Sequence, residues 1–317
     1  MARPSIHQAT QLAKQGRTRE SVQRCRAVLA TQPGNVGAAR LLGELLRDLG
    51  QHDDSVRTLR ALHRSRPHDT RIASELGASL VTNRQTTQAV ALLRRAISAF
   101  PHEPAHHVWL GRAMMQSFQP AEAVAAFREA SRLDPDDTGV SLLLASALLS
   151  GGQAVLAQPV LERLAIDDPG NGAVQAALGQ ALEQLAETSR ARDAYRRAIG
   201  SDRDGLAAAG LVRCLLAEGR TTEAVESARR SFGTTPTPHT ALALARALLA
   251  QKEPDEAGTI LEHALGETVR SGSFDVARDV YNALLVRARQ HPYPVCWGAP
   301  ENLAHEVEPV RALVPIR

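Results

Sequence analysis

Residues 67–101 read PHDTRIASELGASLVTNRQTTQAVALLRRAISAFP, and this stretch decides the fold. Leu76 and Leu80 are four apart and share one face of a helix. Gly77, between them, leaves room for a neighbouring helix to come close. Ala89 and Leu93 repeat the four-residue spacing further on, in a second helix. A proline bounds the stretch at each end, where it stops one helix and restricts the residue before it.

The same pattern recurs outward in both directions. Pro33, Pro67, Pro101, Pro135 and Pro169 follow one another at 34 residues, and Pro236 follows Pro169 by 67, which is 34 plus 33. Leu42-Gly43, Leu76-Gly77, Leu110-Gly111 and Leu178-Gly179 keep this period, with Leu144-Ala145 in the fifth unit. Leu46, Leu80, Met114, Leu148 and Leu182 lie four residues after each leucine. Later in each unit come Ala89, Ala123, Ala157, Ala191, Ala224 and Ala257, then Leu93, Phe127, Leu161, Tyr195 and Leu261. Gly16, Gly50, Gly152 and Gly219 fall at mid-unit turns.

At this level of detail the chain resembles the tetratricopeptide repeat (TPR) family, whose unit is a 34-residue helix–turn–helix with a Leu-Gly pair, a small residue in the second helix and a closing proline. The resemblance covers about residues 2–270. It implies an all-α, right-handed superhelical solenoid of about eight repeats. One unit cannot bury its apolar face alone, so units must stack. Unit one departs from the pattern, with Gln8 for the leucine and Ser21 for the alanine, as suits a polar N-terminal cap. Unit six closes with Arg203 in place of proline, unit seven has Leu211-Val212 for the Leu-Gly pair, and the register drops by one residue between about 200 and 240. Beyond the repeats, residues 274–290 predict a capping helix with Phe274, Ala277, Val280, Tyr281 and Leu284 on one stripe. Residues 291–317 hold five prolines together with Tyr293 and Trp297, and predict a tail that caps the last repeat, mimics a ligand or joins two copies.

Composition narrows the function. Hydrophobic residues make up 44% of the chain and aromatics only 3%, so aliphatic side chains and alanine must build the core. The net charge of +3 and a pI near 9.0 fall short of the dense positive field of a nucleic-acid binder. Lys14 and Lys252 are the only lysines, and every other basic residue is arginine. Cys25, Cys214 and Cys296 are odd in number and far apart, so they imply no disulfide framework and suggest a reducing compartment. With no apolar leader and no stretch long enough to span a bilayer, a cytoplasmic location is expected.

Signs of chemistry are few. His102-Glu103-Pro104-Ala105-His106 imitates a zinc-protease motif, but Pro104 sits inside it and breaks the helical spacing that such a site needs. His102, His106 and His107 are read as exposed loop residues. Cys25 and Cys214 occupy packing positions and are read as buried small hydrophobes, while Cys296 alone is expected to be exposed. No phosphate-cradling glycine loop or nucleophile elbow is present. The expectation is therefore no enzyme, no cofactor and no metal.

By the family resemblance, partners bind along the first helices of the units. The inward positions carry Arg40, Glu44 and Arg47 in unit two and Arg71 and Glu75 in unit three. Arg112, Arg213 and Arg246 occupy the ninth positions of units four, seven and eight. Trp109 lies three residues before Arg112, on the same side of a helix, and either faces the groove or packs on unit three near Glu75. This mixed but basic-leaning set predicts a scaffold for an acidic or extended peptide segment of a partner protein. The competing reading is an accessory subunit that presents substrate to a separate modifying enzyme.

Overall fold

The structure, a computed structural model, describes residues 5–270, and their side chains as far as residue 266. The predicted capping helix at 274–290, the tail at 291–317 and Cys296 lie outside the described residues. Sixteen α-helices fill the described part, with no strand among them. They fall into two compact units that meet between Gln153 and Ala154, inside the turn of the fifth repeat.

The first unit holds α1 (Ile6–Lys14), α2 (Thr18–Thr31), α3 (Val36–Asp48), α4 (His52–Ser65), α5 (Thr70–Thr82), α6 (Thr86–Ala99), α7 (Pro104–Gln116), α8 (Pro120–Leu133) and α9 (Thr138–Ser150). The second holds α10 (Ala154–Asp167), α11 (Gly172–Gln184), α12 (Thr188–Ala198), α13 (Leu206–Ala217), α14 (Thr221–Thr234), α15 (Pro238–Ala250) and α16 (Pro254–Arg270). Within each unit a helix packs mainly on its two neighbours in sequence, and first helices also meet first helices, as α5 meets α7 and α13 meets α15. This is the short-range contact pattern of a helical-repeat solenoid.

The period marks two things at once. Each of the first five prolines lies just past the end of a second helix, and the residue two places on is the N-cap of the next first helix. Asn35 accepts from the Ala38 N–H at 3.0 Å, Asp69 from Ile72 at 3.2 Å, Asp137 from Val140 at 3.1 Å and Asn171 from Val174 at 3.3 Å. Each bond satisfies one of the orphan N–H groups at a helix start. Unit four has Glu103 at that place and makes no side-chain cap; Pro104 opens α7 instead, where its missing N–H costs nothing.

The Leu-Gly glycines are demanded by packing. A Cβ on Gly43 would lie 2.6 Å from Leu59, on Gly77 2.7 Å from Leu93, on Gly111 2.6 Å from Phe127 and on Gly179 2.7 Å from Tyr195. The large residue of each second helix thus lies directly on the glycine of the first. Ala89, Ala123, Ala157, Ala191, Ala224 and Ala257, at the small-residue position, are all fully buried. Ser21 and Ser55 replace alanine there and are just as buried; their hydroxyls donate to Ala9 O at 2.7 Å and Gly43 O at 2.6 Å. Ser21 is therefore a satisfied core residue and not part of a polar cap.

The turns explain the mid-unit glycines. Gly16, Gly50, Gly152 and Gly219 all have φ between 70° and 74°, the left-handed region. In the other four units Arg84, Phe118, Ala186 and Lys252 take the same conformation without being glycine. At the irregular join of units six and seven, α12 runs into a single 3₁₀ turn at Ile199–Ser201. Asp202 then accepts the Ala208 N–H at 2.8 Å, and Gly205 takes φ 76° to start α13. These residues do the work that proline and an Asn or Asp cap do elsewhere.

Candidate partner-binding surface

In the first unit, α3, α5 and α7 carry the first-helix residues singled out by sequence. Trp109 of α7 is half-buried against the cluster that includes Leu76, Leu80 and Ala113. The Arg112 guanidinium lies 5.0 Å from the Trp109 ring centroid. Trp109 thus packs toward unit three on one side, and its ring also carries an arginine. Arg112 itself is exposed and has no carboxylate partner among the described residues. A cation over an indole face is attracted by the ring quadrupole, by about 0.5–1 kcal/mol where solvent reaches it.

Arg40 and Glu75 have a different fate. The Arg40 Nε donates to both Glu75 oxygens, at 2.9 and 3.0 Å, and joins α3 to α5. That fork-on-carboxylate geometry uses up both charges. Glu44 and Arg71 are exposed. Arg47 is half-buried, with its Nη1 shielded from solvent and lacking a hydrogen-bond partner.

In the second unit Arg213 of α13 reaches back to Glu183 of α11, with Nε to Oε1 at 2.7 Å and Nη2 to Oε2 at 2.9 Å. The Tyr195 hydroxyl, on α12, donates to the same carboxylate at 2.7 Å. Burial alone would push Glu183 up, but the donors Arg213 and Tyr195 outweigh it and hold the carboxyl below its ordinary value. The hydrogen bonds to Glu183 raise Arg213, and burial followed by the bond to Glu183 raises Tyr195. Arg246 of α15 is exposed and lines, with Arg213, Leu206, Val212 and Leu242, a cavity of about 100 Å³ between α13 and α15. The sequence had offered Arg213 as an inward arginine and Tyr195 as a packing residue. That they form one cluster with Glu183 was not foreseen, although Glu183 and Arg213 are only 30 residues apart, close to one repeat.

The histidine string needs correcting. His102 is exposed, but His106 is completely buried and its Nε2 lies 3.1 Å from the Thr70 carbonyl. His107 is buried too, with Nε2 3.0 Å from the Pro101 carbonyl. Pro104 opens the helix one residue before Ala105, so both histidines fall in the first turn and turn inward. Each faces a backbone oxygen. Among the described residues no group of three or more His, Cys, Asp or Glu is placed to hold a metal ion. Cys25 and Cys214 are buried, and burial pushes each thiol up to about 11. No described helix is long and apolar enough to cross a membrane.

Two tetratricopeptide-repeat family models match the chain, one over residues 12–78 and 114–181, the other over 74–138 and 176–237. Together they run unbroken from 12 to 237. The chain belongs to the tetratricopeptide-repeat family. A TPR protein of this kind is a protein-interaction scaffold, because its motif residues serve packing and leave the exposed positions to bind. No curated protein sequence matches the chain. Among solved structures it is similar to a tetratricopeptide repeat protein from Parabacteroides merdae, with a TM-score of 0.63 at 12% identity over 77% of this chain and 95% of that one. It is also similar to a chain of the APC/C hetero-tetramer Cut9–Hcn1, with a TM-score of 0.61 at 14% identity over 85% and 52%. Yeast Tom70 gives 0.60 at 14% identity over 86% and 59%. This TPR chain therefore spans between half and three-fifths of the last two, and at such identities the likeness is one of fold.

Proposed function

We propose that this TPR protein holds an extended segment of a partner protein along its first helices, and that the segment carries acidic side chains. The observation that supports this reading is Arg112, an exposed guanidinium seated over Trp109 with no carboxylate of its own. A charge held in place by an aromatic ring and left unneutralised is prepared for an incoming carboxylate, and Trp109 adds apolar area beside it. Tryptophan and arginine are the residue types most enriched among binding hot spots. Arg246, exposed at its own small cavity, offers a second such point in the other unit.

Arg40, Glu75 and Arg213 are removed from this list of contact residues, because each is occupied by an intramolecular ion pair. The test therefore uses Arg112→Glu with Arg246→Glu. Partners captured from the native cell extract by the wild type are identified, and the acidic segment of the leading partner is synthesised and titrated. Each reversed charge is expected to weaken that segment by roughly five- to tenfold, with circular dichroism unchanged. Undiminished affinity in a folded double variant would reject the first-helix surface as the binding face.

A further inference from the structure

A second surface in the first unit has a different chemistry. The second helices α4 and α6 flank a groove of about 530 Å³ floored by Ala73, Leu76 and Leu80 of α5. It shares no residue with Trp109, Arg112 or the Arg40–Glu75 pair. Its rim carries Arg60, His63, His68 and Arg95. Its single carboxylate, Asp69, is occupied in accepting the N–H groups of Arg71 and Ile72.

The basic rim follows from Gln88, which replaces an acid in a repeated ladder. At one fixed position successive second helices carry Arg60, Arg94, Arg128, Glu162, Arg196 and Arg229. The facing position of the next unit carries Gln88, Glu122, Leu156, Arg190, Glu223 and Glu256. Arg94 meets Glu122 at 3.2 Å, and Arg229 meets Glu256 at 2.8 Å. Arg196 lies 3.7 Å from Glu223, and the pair Glu162–Arg190 keeps the bridge at 2.7 Å with the charges exchanged. At the rung between α4 and α6, Arg60 meets Gln88 at 2.7 Å, and its charge stays uncompensated. Arg95 beside it donates only to the Ala91 carbonyl of its own helix. His63 presents an Nδ1 that is shut off from solvent and has no hydrogen-bond partner. Burial and then the Arg95 charge push this imidazole below its ordinary value, so it adds no positive charge to Arg60 and Arg95 at neutral pH.

The corresponding grooves of the second unit do not share this character. The groove between α10 and α12 includes Glu162, and that between α12 and α14 includes Glu223 and Glu226; each is about 360 Å³. The α4–α6 groove is the larger and lacks any free acid.

We propose that the α4–α6 groove is a second docking site, built for a partner peptide that places an aliphatic side chain on the α5 floor and an adjacent Asp or Glu between Arg60 and Arg95. Charge complementarity selects the acid, and the apolar floor selects its neighbour. The site is independent of the first-helix surface and stands or falls separately from it.

The experiment pans a phage-displayed library of random dodecapeptides on the full chain, and the leading clones are synthesised and titrated. Clones with Asp or Glu next to Leu, Ile or Val are expected. Their affinity should fall by about tenfold or more in Arg60→Glu with Arg95→Glu, where two attractive charges become repulsive. It should fall similarly in Ala99→Trp, which plugs the groove without altering charge, and should hold in Arg112→Glu with Arg246→Glu. Circular dichroism checks each variant, and Arg60→Gln with Arg95→Gln replaces the reversal if that does not fold. If no enriched peptide responds to the Arg60 and Arg95 changes, the second site is refuted. If those peptides respond to Arg112 alone, the first-helix reading survives and this one does not.

Discussion

Replacing Arg213 by methionine should destabilise the second unit in a way that depends on pH. Methionine keeps much of the aliphatic stem, so the change isolates the guanidinium. The wild-type side chain makes two charge-assisted bonds to Glu183, at 2.7 and 2.9 Å. A buried hydrogen bond to a charged group contributes about 1.5–3 kcal/mol, whereas an exposed ion pair contributes about 0–1 kcal/mol. The Arg213 and Glu183 side chains are 42% and 30% exposed, so the pair sits between those limits and the loss should be about 2 kcal/mol. For a chain of 317 residues that corresponds to a fall in Tm of about 3 °C.

The sign of the pH effect follows from Glu183. Its folded pKa is lowered from the ordinary 4.5 by Arg213 and Tyr195, against the opposing push of burial. A carboxylate lowered in this way stabilises the fold above its unfolded pKa, and that stabilisation is lost as pH falls through the folded pKa. Without Arg213 the burial that already pushes the carboxyl up meets only the Tyr195 bond. Wild type and variant should therefore differ fully at pH 7, converge as pH drops below 4.5, and be alike once Glu183 is protonated in both. Thermal unfolding followed by circular dichroism at pH 7 and pH 3 measures this. Equal stability at pH 7, or a gap that persists unchanged to pH 3, would refute the account of the cluster.

Three other outcomes follow from the packing. Gly111→Ala should cost about 1–3 kcal/mol in urea unfolding, because the new Cβ would lie 2.6 Å from the buried Phe127 ring. Phe118→Gly should raise stability by about 1 kcal/mol: Phe118 holds φ 55° with its ring 88% exposed, so the change relieves left-handed strain and gives up little burial. In a Cys296→Ser background, Cys25 and Cys214 should resist thiol reagents at pH 8 in the folded protein and react only on unfolding, given their burial and pKa values near 11.

Much of the fold is legible in the sequence because it is repetitive. Pro33 to Pro169 fix the period, and the Leu-Gly pairs fix which face of each first helix meets its partner. The caps were equally present as Asn or Asp two residues after a proline, and reading them beside the prolines would have placed the helix starts. His106 was not legible. Its polarity suggests exposure, and only the packing of the first turn of α7 on α5 shows that its Nε2 donates to the Thr70 carbonyl in a closed interior. Ser21 misleads for the same reason: a hydroxyl that finds a carbonyl twelve residues back can be buried as readily as the alanine it replaces.

The candidate surface was the least legible part, and the reason is physical. An arginine on the inner side of a first helix looks the same in sequence whether or not a carboxylate stands opposite it. Arg40 reaches Glu75 across 35 residues and Arg213 reaches Glu183 across 30, spacings that straddle the 34-residue period without matching it. The partner thus depends on helix rotation and rotamer and cannot be read from the repeat. Once the pairs are removed, the unpaired guanidinium groups remain, and the proposed binding surfaces are built on these. Arg112 is free because its neighbour is an indole, and Arg60 is uncompensated because Gln88 stands where Glu122, Glu223 and Glu256 stand in other units. In a repeat protein every rung is a copy of the same structural solution, so a rung that forgoes its ion pair loses only the small stabilisation that an exposed pair supplies. That small cost makes such rungs the natural places for a binding surface to form without weakening the stack.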